Sequence, residues 1–185
     1  MRDSYTRYPR AILWLVREGH YEGGEVGSFY LSKLPITALQ FEAFDPSYRR
    51  PAYAVGDDDA AVGVRFEQAQ GYCEWYARVS RKPMRLPTEI EWSYACDLGE
   101  PHRLSDAQIP HAGNSGEQLP NLKRTKPSKA GFIAMLGGVW EWTAEGQLRG
   151  GSFRCSREQV ALGHRHPAPE SADYGDVGFR IARSM

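Results

Sequence analysis

The feature that most constrains the fold of this 185-residue chain is a block of glycine pairs and tryptophans at Met135–Cys155, MLGGVWEWTAEGQLRGGSFRC. The run from Val139 to Thr143 is rich in residues that favour β-strands, and Leu148-Arg149 is a second, short strand candidate. Because Gly146 lies between them, the block predicts a β-hairpin. Glycine pairs beside bulky aromatic side chains indicate places where the backbone bends sharply or passes close to another group.

The block contains two motifs, GGVWEWT at Gly137–Thr143 and LRGGSF at Leu148–Phe153, and two more lie outside it, RLPTEIEWSYAC at Arg85–Cys96 and GFRIAR at Gly178–Arg183. They stand in the order used by the formylglycine-generating enzyme (sulfatase-modifying factor) family, which the chain resembles from about Phe29 to its C-terminus. The resemblance implies an α+β, C-type-lectin-like fold, with two main helices, small twisted antiparallel sheets and much irregular structure. That fold serves oxidases, sulfoxide synthases and purely binding proteins, so it does not give the function by itself.

Length and composition predict one domain. The extent of the resemblance implies that residues 29–185 are the family-like domain, and we expect residues 1–28 to be an N-terminal lead-in packed on the body. The 23 basic and 23 acidic residues cancel, so no electrostatic argument favours nucleic acid or an anionic membrane as a partner. The apolar run Ala11–Val16 is too short for a signal-peptide core or a membrane span. Three cysteines without a CxxC spacing favour a reducing compartment, and we expect a cytoplasmic protein.

Two capping boxes and one amphipathic pattern predict three helices, over residues 38–44, 66–80 and 89–96. Each outer helix begins after a threonine that is followed three residues later by glutamine or glutamate, Gln40 in one case and Glu91 in the other. The middle helix follows from apolar residues that share one helical face. We assign a structural role to the polar residues Arg85, Glu89, Glu91 and Arg180. A strand is predicted at Phe29–Leu31, and residues 98–130 form a long loop that is either functional or specific to this chain's family.

Copper chemistry is the first function that the resemblance implies. The family's oxidases bind Cu(I) with two cysteines, and soft thiolates suit that ion. Cys155 matches the first cysteine, which lies three residues after Gly-Gly-Ser. The second should follow five residues later, where this chain has Val160, and no cysteine lies downstream. Since one thiolate is half of the ligand set, we do not expect formylglycine-generating activity.

A second metal site is conceivable around His164 and His166, because residues i and i+2 of a strand point to one face. With Cys155 or His111 they would complete a copper or iron site, and our alternative hypothesis is therefore a metal-dependent, oxygen-using oxidoreductase with Cys155 as its catalytic residue. The competing interpretation is that the histidines are two polar residues at a strand edge before Pro167.

Calcium is the third candidate metal, since calcium-binding members of the resembled family place oxygen ligands around the tryptophan block. Glu141 matches the family's glutamate, and Asn114 matches another ligand position. Gly138 and Ala134 stand where the family's asparagine and aspartate are expected. We therefore expect at most a weak calcium site.

The leading hypothesis is a module that binds a small-molecule, peptide or protein ligand, because the scaffold motifs persist while copper and calcium ligands are missing. We assign ligand binding to residues in or beside the former substrate groove: Ser152, Arg154, His164, Arg165, His166 and Trp142. Arginine and histidines there favour an anionic or carboxylate-bearing ligand. A third hypothesis is a retroelement-diversified variable protein; such variable segments are often asparagine-rich, and residues 155–180 contain no asparagine.

Overall fold

The structure is a computed structural model that describes residues 8–116, 118–167 and 174–185. Within these ranges it contains short strands and helices in mixed order, which confirms the α+β class. The strands are β1 Leu13–Val16, β2 Gly19–Tyr21, β3 Gly24–Val26, β4 Phe29–Ser32, β5 Trp140–Trp142, β6 Gln147–Arg149, β7 Arg165–Pro167, β8 Val177–Phe179 and β9 Ala182–Ser184. The helices are α1 Ala38–Phe44, α2 Phe66–Ser80, α3 Glu89–Asp97 and α4 Ala112–Ser115, with single 3₁₀ turns at Pro101–Arg103 and Asp106–Gln108.

Three small sheets organise the part of the chain that the structure describes. In the first, β4 lies between β1 and β9 and pairs antiparallel with both, while β2 and β3 form a separate hairpin. The third sheet has the order β7-β6-β5-β8, with β8 parallel to β5 and the other pairs antiparallel. The first sheet therefore joins strands from near the two ends of the chain, and the third carries the glycine-tryptophan block.

The hairpin predicted from that block is β5–β6. Its turn closes with the backbone N–H of Gly146 donating to the carbonyl of Thr143 at 3.0 Å. Gly146 has φ +74°, a left-handed conformation that glycine adopts without the steric cost of a Cβ. The local turn chemistry thus agrees with the strand pattern on either side of it.

The capping boxes form as predicted and set the start of α1 and α3. Thr37 Oγ1 accepts the Gln40 N–H while the Gln40 side chain accepts the Thr37 N–H, and Thr88 and Glu91 repeat the arrangement. The structure places α1 and α2 on the predicted residues, and α3 runs one residue further than expected, to Asp97. Because these caps are local, the sequence alone fixes where the helices begin.

An aromatic cluster joins the helices to the third sheet. Tyr72 of α2 stacks on Phe41 of α1, with an angle of 18° between the ring planes. It also meets Phe179 of β8 edge-on. Trp92 of α3 and Trp142 of β5 are buried on opposite sides of the same sheet. These rings form the core against which the functional surface is built.

A fully buried ion pair lies at the centre of the fold. Arg180 donates to both carboxylate oxygens of Glu141, at 2.6 and 2.8 Å, and both side chains are 0% exposed. The Trp92 indole N–H donates to the same carboxylate at 2.6 Å. Arg180 also donates to the backbone carbonyls of Ser32, Lys33 and Ile133. The pair thus ties β4, β5, α3 and the segment before β9 together, which is the structural role expected of Arg180.

Several residues of the expected N-terminal lead-in form strands. Leu13–Val16 pairs along its length with Phe29–Ser32, and the β2–β3 hairpin follows it. Trp14 remains 47% exposed, with Lys33 Nζ above its ring at 5.4 Å. In the part of the chain that the structure describes, no helix has the length and apolar character needed to cross a membrane.

Candidate functional site

Two consecutive glycines position Cys155. Gly150 and Gly151 both have positive φ, +95° and +70°. A Cβ on Gly150 would overlap the carbonyl oxygen of Met135, and one on Gly151 would lie 2.9 Å from the Cα of Val160. The chain after β6 therefore turns against two other backbone segments, which only glycine permits. This turn presents Ser152 and Cys155 to the same small space.

The Cys155 thiol sits in a hydrogen-bonded cluster. Its Sγ accepts the Ser152 backbone N–H at 3.3 Å and lies 3.4 Å from the Ser152 hydroxyl. That hydroxyl donates to a carboxylate oxygen of Asp176. Ser152 is fully buried and Cys155 is only 8% exposed. The cluster fixes the thiol in place without presenting it broadly to solvent.

Part of the long loop covers this cluster. The backbone N–H of Ala112, in α4, donates to the Cys155 carbonyl at 2.9 Å. The Ser115 hydroxyl donates to the carbonyl of Phe153 at 2.7 Å. Because α4 is bonded directly to the backbone of the GGSFRC segment, the loop over residues 98–130 is part of the site rather than a separate decoration.

The residues around Cys155 do not fit the two-thiolate copper site of the resembled oxidases. Val160, where the second thiolate is expected, is 0% exposed and belongs to the hydrophobic core. The other cysteines, Cys73 on α2 and Cys96 on α3, are buried in the body, and burial raises the pKa of each thiol to about 12. A neutral buried thiol is a poor copper ligand, since thiolates bind the metal.

The structure gives the calcium candidates a different role. Both carboxylate oxygens of Glu141 are taken by Arg180, and one of them also by Trp92. Asn114 uses its amide oxygen to accept the His111 N–H and its amide nitrogen to donate to backbone carbonyls. These oxygens hold the fold and the loop, so Glu141 and Asn114 do not fit a calcium site.

His164 and His166 lie together, as the strand alternation predicts, and they flank a tryptophan. Their rings are 5.8 and 5.4 Å from the ring of Trp140, measured between centroids. The Trp140 backbone N–H donates to the carbonyl of Asp176 at 3.0 Å, which connects this surface to the Ser152–Cys155 cluster. Among the residues described, no group of three or more His, Cys, Asp or Glu side chains is arranged to hold a metal ion.

Arg154 lies next to Cys155 in the chain and packs on two aromatic rings. Its guanidinium carbon lies 4.4 Å from the ring centroid of Tyr53 and 5.2 Å from that of Phe153. Its backbone N–H donates to the Ser152 hydroxyl, whereas its guanidinium N–H groups have no hydrogen-bonding partner within the described part of the chain. A guanidinium held on an aromatic face keeps its planar edge available to a carboxylate.

Arg165 points away from the histidines. The register places Arg165 opposite Arg149, while His166 lies opposite Leu148. Because neighbours along a strand face opposite sides of the sheet, Arg165 projects to the α3 side, where it bonds to Glu89. The expected single surface containing both Arg165 and the histidines is therefore corrected: strand alternation separates them.

Arg149 and Trp142 are both buried in the sheet. Arg149 is 1% exposed, and it donates to Glu89 and Ser93 at 2.9 and 2.7 Å. Burial lowers the pKa of its guanidinium from the ordinary value. Trp142, assigned to ligand binding, is buried with its indole N–H bonded to the carbonyl of Val64 at 2.8 Å. Both residues support the sheet from within instead of contacting a ligand.

The sequence analysis missed two residues of this region. Tyr53 lies in an irregular loop without periodicity, so nothing local indicated that its ring would support Arg154. Asp176 follows a glycine beside β8, and its bond to the Ser152 hydroxyl depends on a contact across the fold. Asp176 directly precedes β8, and β8 pairs with β5, the strand of the tryptophan block. A prediction of that pairing would have placed Asp176 near the site.

We define the Trp140 surface as Trp140 with His164, His166, Arg154 and Tyr53. It combines a largely buried tryptophan flanked by two imidazoles with a guanidinium that lies on the ring of Tyr53. The guanidinium and the imidazoles are groups that can bond to an anion.

Comparisons with known proteins agree with this fold. The profile of the sulfatase-modifying factor enzyme 1-like domain family matches residues 17–185. The formylglycine-generating enzyme of Streptomyces coelicolor is 25% identical over 188 residues, covering 73% of this chain and 57% of that protein. The mouse inactive C-alpha-formylglycine-generating enzyme 2 is 29% identical over 157 residues, covering 66% of this chain and 48% of that protein. The chain thus spans about half the length of these curated relatives.

A solved structure supports the same assignment at the level of the fold. Treponema denticola variable protein 1 superposes with a TM-score of 0.71 and 19% sequence identity, covering 96% of this chain and 94% of that one. Since the family profile extends over residues 17–185, from the strand region at the N-terminus to the last residue, this chain belongs to the sulfatase-modifying factor enzyme 1-like domain family.

Proposed function

We propose that this chain is a ligand-binding member of its family, which holds an anionic peptide or small molecule on the Trp140 surface and does not generate formylglycine. The observation that carries the proposal is the pair of positions Cys155 and Val160. The first thiol is retained but shielded, and the second position is filled by a valine that packs in the core. The scaffold around them is intact: Arg180 and Glu141 form the buried ion pair, and Gly150 and Gly151 adopt the positive φ values of the turn.

The chemistry of the Trp140 surface supports a carboxylate-bearing ligand. Arg154 supplies parallel N–H donors, and its position over Tyr53 reduces the conformational freedom that binding has to remove. His164 and His166 place two imidazole rings beside Trp140. An acidic side chain or a C-terminal carboxylate of a peptide matches this set of donors.

Selection from a random peptide library displayed on phage tests the proposal, followed by fluorescence polarisation with the selected peptides. We expect acidic peptides to be enriched, and Arg154→Ala and His166→Ala each to weaken binding at least about tenfold, the effect of one charge-assisted hydrogen bond. Arg165→Gln is the matched control, because it removes a positive charge on the opposite side of the sheet. Undiminished binding by Arg154→Ala, with native circular dichroism, would exclude the Trp140 surface.

The alternative is a metal-dependent oxidoreductase that uses Cys155. The observation that favours it is the retained thiol, which is bonded to Ser152, whose hydroxyl donates to Asp176. Anaerobic titration with Cu(I) and Fe(II) separates the two proposals. We expect no stoichiometric site that depends on Cys155, so that native protein and Cys155→Ser give the same isotherm. A one-to-one site lost in Cys155→Ser would support the oxidoreductase and overturn the binding module.

Two further proposals have narrower support. The fold shared with Treponema denticola variable protein 1 supports a retroelement-diversified binding protein through architecture alone. A cytoplasmic location is supported by three cysteines that are all free and buried, which is the state that a reducing compartment maintains.

A further inference from the structure

A cavity of about 330 Å³ lies in the region of residues 96–136, and none of the residues of the Trp140 surface lines it. Its inner wall is apolar, because Phe132, Met135 and Leu136 reach it from the hydrophobic core. Its volume lies within the usual range of small-molecule sites, roughly 300–1,000 Å³. The cavity is therefore large enough for a compact organic molecule with an apolar body.

One wall of the cavity carries two positive charges. Arg124 and Lys126 line it, and no aspartate or glutamate is among its lining residues. Lys123 and Lys129, from the same loop, are instead paired with Asp58 and Glu100. Within the described part of the chain, the heads of Arg124 and Lys126 have no ion pair or hydrogen bond. Asp58 and Glu100 are thus paired with cations that do not line the cavity.

The loop that carries Arg124 and Lys126 is held in shape by local bonds. The Asn121 side chain accepts the backbone N–H groups of Lys123 and Arg124 at 3.0 and 3.2 Å. Ser128 also lines the cavity, but its Oγ is shielded from solvent, so we do not count it among the groups that would contact a ligand.

We infer that this cavity binds a small carboxylic acid with an apolar chain or ring, with its carboxylate at Arg124 and Lys126 and its body against Phe132 and Met135. Two cations without acidic neighbours select an anion, and the apolar wall selects a hydrophobic body. A free phosphate or sulfate would use only the charged wall. The site is distinct from the Trp140 surface and does not depend on its function.

Titration of the ¹⁵N-labelled protein with sodium octanoate tests the inference. We expect saturable shifts of the Phe132–Leu136 amide signals, and no such shifts with octylamine, which has the same body and the opposite charge. The double variant Arg124→Gln/Lys126→Gln is expected to raise the dissociation constant by about tenfold or more, as for loss of charge-assisted hydrogen bonds. Both side chains are exposed, so the variant should retain the native spectrum elsewhere.

Lys123→Gln is the matched control, since it removes one charge from the same loop without altering the lining of the cavity. It should leave the affinity for octanoate unchanged. A second variant, Ala107→Trp, fills the cavity from its lining and should abolish binding. Absence of saturation, equal binding of octylamine, equal weakening by Lys123→Gln, or shifts confined to Arg154 and His166 would each overturn the inference.

Discussion

Replacement of Arg180 by methionine should be among the most destabilising single changes in this chain. Arg180 is 0% exposed, as is its partner Glu141. Removing one member of a buried ion pair typically costs about 3–5 kcal/mol, because the other charge stays buried without compensation. The guanidinium also serves backbone carbonyls of Ser32, Lys33 and Ile133. Each carbonyl left without a donor adds about 1 kcal/mol or more.

The expected loss in the free energy of unfolding is therefore about 5 kcal/mol or more, close to the whole stability of a marginal domain. Glu141→Gln should cost less, about 3 kcal/mol, because its amide oxygen still accepts the Trp92 indole N–H and the three carbonyls keep their donors. Asp106→Asn is the control: its carboxylate pairs with Arg157 at 2.7 Å but its side chain is 75% exposed, so we expect a change within about 1 kcal/mol.

Urea unfolding followed by tryptophan fluorescence measures all three variants. The double variant Glu141→Leu/Arg180→Met should recover part of the stability lost in Arg180→Met, because no buried carboxylate remains unpaired. If Arg180→Met lowered the unfolding free energy no more than Asp106→Asn, the ion pair would not hold the fold together and the reasoning would fail.

Three other predictions concern local features. Gly137→Ala should lower the free energy of unfolding in urea by more than about 2 kcal/mol, because a Cβ would overlap a backbone carbonyl. Gly23→Ala, also at positive φ but in open space, should lower it by about 1 kcal/mol. Equal losses would refute the role of the contact. Burial raises the pKa of Cys73 and Cys96 to about 12. Because the same thiols ionise at lower pH in the unfolded chain, the free energy of unfolding should fall between about pH 8.5 and 12. A Cys73→Ala variant should show a shallower fall. Thr88→Ala should lower the midpoint of thermal unfolding through loss of about 1 kcal/mol of N-capping, and an unchanged midpoint would contradict it.

The helices were predictable because their determinants are local. Thr88 and Glu91 cap α3 through bonds three residues apart, and no distant contact is needed to place that start. Strands such as β1 were not predictable in the same way, because Leu13–Val16 becomes a strand only by pairing with Phe29–Ser32. Short strands carry little periodicity, so their existence depends on partners that the sequence does not display.

The residues of the candidate site likewise include some that local sequence predicts and others that depend on distant contacts. Cys155 and the valine at position 160 follow from motif spacing, and the structure adds only their burial. The separation of Arg165 from His166 follows from strand alternation alone and was within reach of the sequence. The position of Tyr53 beneath Arg154 was not, since it joins loops that are distant in the chain.

The contacts of Arg180 have a consequence for synthesis of the protein. Its bonds to Ser32 and Ile133 span sequence separations of 148 residues for the first and 47 for the second. As the chain leaves the ribosome, Glu141 emerges long before the arginine that neutralises it, and β4 emerges long before β9. Domains that depend on such distant contacts fold slowly. The nascent chain should therefore keep an incomplete core, open to chaperones and proteases, until Arg180 and β9 have left the ribosome.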